Sequence, residues 1–126
     1  MDDIRRISEE YQKICNELIE EMPEFEILKT VTIICLASEL EKKTNGKVIL
    51  GQTEKISAKY KWGIPCDFTI TFFEPNISHM TNQQLGILMY HELLHVGVED
   101  DRLFIRPHDL EDFKAVIEQY GVNWAE

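Results

Sequence analysis

No CxxC pair occurs in this chain, and its three cysteines, Cys15, Cys35 and Cys66, are widely spaced and odd in number. That excludes a cysteine zinc knuckle and a disulfide framework, and leaves reduced, mostly buried thiols in a cytosolic protein as the natural reading. Long apolar runs are missing as well. The longest, Ile33-Ile34-Cys35-Leu36-Ala37, is far too short to span a bilayer, so no membrane partner is expected. The start, Met1-Asp2-Asp3-Ile4-Arg5-Arg6, has neither an apolar core nor a cleavage signal, so a cytoplasmic location is expected. Basic residues are scarce: 13 Lys and Arg against 23 Asp and Glu give a net charge of −10. Neutralising phosphates needs clustered cations, so this balance argues against a nucleic-acid partner.

What is present is a globular composition, 44% hydrophobic and 29% charged over 126 residues, with no repeats or low-complexity tracts. It predicts one domain over residues 1–126. Ile4, Ile7, Tyr11, Ile14, Leu18 and Met22 recur at helical spacing and predict a first helix that Pro23 closes. The β-branched run Val31–Ala37 predicts a buried strand, although a helix from Glu26 through Lys43 also fits the apolar spacing. Asn45-Gly46 marks a turn. Lys47–Gln52 reads as a second strand with a bulge at Gly51. Cys66–Phe73 alternates, with Phe68, Ile70 and Phe72 on one face and Asp67, Thr69 and Thr71 on a partly open one. Such a strand could hold an extended peptide by strand addition or could simply be an inner strand.

The most informative stretch follows. Thr81 with Gln84 forms a capping-box pattern, and Met80 and Leu85 stand where a hydrophobic staple packs. The helix they open is apolar nearly all round to Val96, and Gly97 is placed to end it. Within it lies His91-Glu92-Leu93-Leu94-His95. Histidines four apart on a helix share a face and can reach one ion. Glu92, rotated by about 100° from His91, misses the ion and reaches a water beside it. That is the pattern of a Zn2+ hydrolase: two ligands, a general base and an open position. Three ionisable groups in an apolar helix are costly unless paired or metal-bound.

A third ligand is required, and Glu99, Asp100, Asp101, His108, Asp109 and Glu111 are the downstream candidates. Ligand chemistry and loop length favour His108, held between Pro107 and a last helix that Asp109 caps, with Asp109 next. That helix would carry Leu110, Phe113, Val116, Ile117 and Tyr120 on its apolar face and close at Gly121. His79 and Tyr90 read better as a loop histidine and a core aromatic than as donors to a reacting group.

Three stretches carry a family resemblance: Phe68–Ile77, Leu88–Gly97 and Pro107–Phe113. They resemble the phage metallopeptidase family, which looks like a minimal relative of the SprT-like zinc proteases, over about Ile27 to Trp124. The resemblance implies ligands at His91, His95 and His108, a catalytic Glu92, and a prophage or mobile-element origin. This chain has no cysteine-rich zinc ribbon or basic tail of the kind larger SprT-like proteins carry, so the resemblance does not extend to proteolysis on DNA. The expected fold is α+β, a small and mostly antiparallel sheet packed on the HExxH helix in a zincin-like minimal metalloprotease domain. The expected function is zinc-dependent hydrolysis of a protein or peptide. The alternative is a non-catalytic, zinc-stabilised interaction domain.

Overall fold

The computed structural model describes residues 2–107. His108, Asp109, Glu111 and the predicted last helix lie outside them. The first helix begins later than its apolar spacing suggests. Arg5–Ile7 is a strand, β1, and α1 runs Glu9–Glu21 with the Ser8 hydroxyl capping it by accepting from the Tyr11 amide. Ile4 and Ile7 fit the helical repeat but are exposed, at 75% and 65%, because β1 pairs along the edge of a sheet instead. Pro23–Thr30 forms a 3-10 turn that buries Phe25 and Leu28.

Strand β2 (Ile33–Ser38) is the one the β-branched run predicts. Asn45 and Gly46, both at positive φ, then turn the chain between β3 (Lys43–Thr44) and β4 (Lys47–Val48). The predicted Lys47–Gln52 strand is therefore two pieces, since β5 is separate and runs Gly51–Lys55. Strand β6 spans Phe68–Phe73 and leads into a one-turn helix, α2 (Glu74–Ile77). Helix α3 (Asn82–Leu93) is followed by the hairpin β7 (Val96–Glu99) and β8 (Arg102–Ile105), whose turn places Asp100 and Asp101 at positive φ.

The main sheet has the order β1-β2-β6-β5. Its outer pairings are antiparallel as expected, but the central pair β2–β6 is parallel, in register from Ile33↔Phe68 to Ser38↔Phe73. The sheet is mixed because the chain between Ser38 and Phe68 lays down β5 before β6 enters the middle. Strand β6 is buried at every residue. Its threonine face is closed too. Arg5 crosses the sheet from β1, donates to the Thr71 hydroxyl at 3.0 Å and pairs with Glu54 on β5. A strand flanked on both sides cannot accept a peptide by strand addition, so that role falls away for β6. Leu85, Leu88, Met89 and Leu93 of α3 belong to the same buried cluster as Phe68, Ile70 and Phe72 of β6 and Cys15 of α1. Each such side chain contributes about 1.5–3 kcal/mol by leaving water. All three cysteines are buried and free. No helix among the described residues is long and apolar enough to cross a membrane.

Candidate metal centre

Helix α3 is anchored at its start by the predicted capping box. Thr81 Oγ1 accepts from the Gln84 amide at 3.2 Å, and Gln84 Oε1 accepts from the Thr81 amide at 2.8 Å. It ends earlier than Gly97, at Leu93, so His91 and Glu92 are helical while His95 sits on the turn just beyond. The backbone keeps a helical course for one more turn, with the Leu94 amide on Tyr90 O and the His95 amide on Glu92 O at 3.0 Å. The two imidazoles therefore still meet, at 5.5 Å between ring centroids and nearly perpendicular. One ligand atom each of His91, Glu92 and His95 lies within 4.8 Å of the others.

Gly97 does a different task from the one its position suggests. It lies in β7 opposite Phe104 of β8, and a Cβ there would come within 2.4 Å of the Phe104 ring. The hairpin this packing makes holds His95 directly. Val96 pairs with Ile105, so His95 and Arg106 form the next rung. The Arg106 amide donates to His95 O at 2.6 Å. The His95 amide is already spent on the helix end, and the imidazole takes its place: Nδ1–H donates to Arg106 O at 2.9 Å. A carbonyl only accepts, so Nδ1 carries the proton and Nε2 is left as the lone-pair nitrogen. Burial lowers the His95 pKa, with the Arg106 carbonyl opposing, which favours the neutral, ligating form.

Glu92 is buried, and desolvation pushes its carboxyl up to about 7. The opposing influence is Thr53 of β5, a residue the sequence did not single out. Its hydroxyl lies 2.9 Å from Glu92 Oε1 and 3.1 Å from the Glu92 carbonyl. Oε2 stays on the histidine side, 3.9 Å from His91 Nε2. Nothing in the alternation of β5 marks Thr53 out; the partnership exists only once β5 has docked beside α3. Gly51 is not at a bulge. It is in register with Phe72, and a Cβ there would lie 2.9 Å from the Phe72 ring and 3.3 Å from the Glu92 carboxyl carbon. Its missing side chain lets β5 approach the Glu92 carboxyl.

A cleft of about 760 Å³ collects these groups, lined among the described residues by Gly51, Thr53, His91, Glu92, His95 and Ile105. Glu99, Asp100 and Asp101 are exposed on the β7–β8 hairpin, outside the cluster of His91, Glu92 and His95. Tyr90 points elsewhere, donating to Glu24 at 2.7 Å, and His79 is an exposed loop residue.

Two imidazoles and a buried carboxylate meet on a helix-to-hairpin junction, a grouping that could hold a metal ion. The chain belongs to the family described as "Putative phage metallopeptidase", whose model matches residues 6–126. Membership carries the coarse statements: a metallopeptidase, a metal cofactor, and a protein or peptide as substrate. Comparison with curated proteins and with solved structures returns no match.

Proposed function

We propose that this protein is a single-domain, zincin-like peptidase in which His91, His95 and His108 hold Zn2+ and Glu92 is the general base. The observation that carries the reading is the 2.9 Å contact of His95 Nδ1 with Arg106 O, which in the neutral ring makes Nε2 the lone-pair nitrogen. His108 lies outside the described residues. The double link between Arg106 and His95 supports it, because that link brings the chain to the site two residues before His108. Asp109 is next in order. The shared buried cluster of α3 and β6 supports the scaffold, and the three reduced thiols fit a cytoplasmic setting.

Zinc, when bound, supplies a Lewis acid that polarises a carbonyl and acidifies water. The chain's own residues do the rest. Thr53 engages Glu92 Oε1, which leaves Oε2 to take a proton from the attacking water and release it to the leaving amide nitrogen. A carboxyl held near 7 by burial both accepts and returns a proton around neutral pH. The remote side of the cleft, from β4 to β5, is the ground on which a peptide lies.

The test is the pair Glu92→Gln and His108→Ala on the full chain. Glu92→Gln retains one zinc per chain and loses proteolysis of an unfolded protein, while His108→Ala loses zinc. Wild-type protein carrying one zinc and cleaving nothing would return the site to a zinc-stabilised interaction domain. Full zinc retention in His108→Ala would move the third ligand to Asp109.

A further inference from the structure

Between Lys55 and Cys66 the chain holds no acidic residue, although acids outnumber bases 23 to 13 overall. Residues 57–65 are all exposed. Trp62 is 88% exposed, and Tyr60 and Ile64 stand out at 50% and 42%. Leaving three large apolar side chains in water forgoes burial that most of the chain's other apolar residues achieve, and it marks a surface meant to be covered.

The presentation is also fixed. Ala58–Tyr60 is a 3-10 turn, and the amides of Gly63 and Ile64 both return to Tyr60 O, at 3.1 and 3.0 Å. Lys61 pairs with Asp67 at 2.7 Å, and the Lys59 ammonium stands 5.2 Å from the Tyr60 ring centroid. Lys55 and Lys59 enter no ion pair among the described residues. Two cations without an ion-pair partner among the described residues thus flank three apolar side chains.

We propose that this loop is an exosite that captures an acidic, apolar-containing segment of the protein substrate, outside the bond that is cut. The proposal rests on the peptidase reading above. The charge count selects the partner. Nucleic-acid sites neutralise about 6–10 phosphates, and basic patches that hold anionic lipids carry about 4–8 Lys or Arg. Two lysines, Lys55 and Lys59, fall short of both, and a chain of net charge −10 repels any extended polyanion at long range. A short peptide with two carboxylates beside a leucine or phenylalanine matches what is presented. Position agrees: Gly51 and Thr53 line the cleft, and Lys55 ends the same strand. At about 3.3 Å per residue, Lys55 is about 7 Å beyond Thr53, so a few extended residues suffice to reach from the cleft to Lys55, where the loop begins.

The experiment measures binding of a fluorescein-labelled Glu/Leu-rich peptide to zinc-loaded, full-length Glu92→Gln protein, which holds the peptide without cutting it. Added Tyr60→Ser/Trp62→Ser or Lys55→Glu/Lys59→Glu changes should each weaken binding about ten-fold. Metal content and circular dichroism should stay unchanged, since all four side chains are exposed. A Lys/Leu-rich peptide should not bind. Equal peptide binding by parent and loop variants overturns the proposal. So does loop-dependent binding of an oligothymidylate, or of phosphatidylglycerol vesicles, tighter than that of the peptide; it would give the loop to nucleic acid or membrane. Loop-dependent peptide binding by a wild type that carries one zinc yet cleaves no unfolded protein would instead remove the peptidase reading, which keeps the two failures apart.

Discussion

Thr53 and Glu92 stand 39 positions apart in the chain and 2.9 Å apart in space, and the contact sets how the proposed base is poised. Removing the hydroxyl while keeping the shape, Thr53→Val, should lower kcat by about 10- to 100-fold, with metal content unchanged and Thr53→Ser restoring most of it. Steady-state kinetics on a cleavable peptide checks this. The buried carboxyl has a second consequence, visible in metal-free protein. Its folded pKa of about 7 lies above its ordinary value of 4.5, so the folded state binds the proton more tightly than the unfolded one. The contribution is fully present below about pH 4.5 and is lost as pH rises through about 7. Metal-free Glu92→Gln should therefore gain stability over the wild type as pH rises from about 4.5 to 8, by up to about 3 kcal/mol. Urea unfolding at several pH values in chelator measures it, and a constant difference across the range would contradict it.

Among the elements, the β7–β8 hairpin carries the most specific expectation. Gly97→Ala drives a methyl group into the Phe104 ring, which Arg102 and Arg106 also flank at 5.0 and 5.9 Å from its centroid. Overpacking of this kind costs about 1–3 kcal/mol. Because the same hairpin holds His95, zinc retention should fall with stability, read by thermal unfolding and metal analysis together. Element types were largely legible beforehand. Asn45-Gly46, the capping box at Thr81 and the alternation through Phe68–Phe73 each carry a local chemical signal, and each is found where that signal stands. What failed was non-local. Ile7 fits a helical stripe but is claimed by pairing with β2, Gly97 looks like a helix stop but packs under Phe104, and nothing local gives the direction of β2 relative to β6. Of the candidate site, the clustering of His91, Glu92 and His95 was readable because four-residue spacing is itself geometry. Thr53 and the Arg106 carbonyl were not, because tertiary contact alone creates their roles.

At the scale of the whole molecule, the described residues share one buried cluster that draws on α1, β2, β6 and α3. If the chain is one domain that holds zinc at His91 and His95, as proposed, it should unfold in one transition that zinc raises. The gain is about 2.7 kcal/mol when free zinc is about 100 times its Kd, and calorimetry with and without chelator reads it. Two separated transitions, or no response to zinc, would count against one metal-linked unit. The double link between His95 and Arg106 carries this coupling down to the level of rates. On the proposed reading of His95 as a ligand, its imidazole is tied to the hairpin ladder, so turning it away from the site breaks the bond to Arg106 O as well. Metal escape would then be slower than the rotation of an untethered side chain, and faster in a variant whose hairpin opens more often. The hairpin would act as a timer on how long the ion stays.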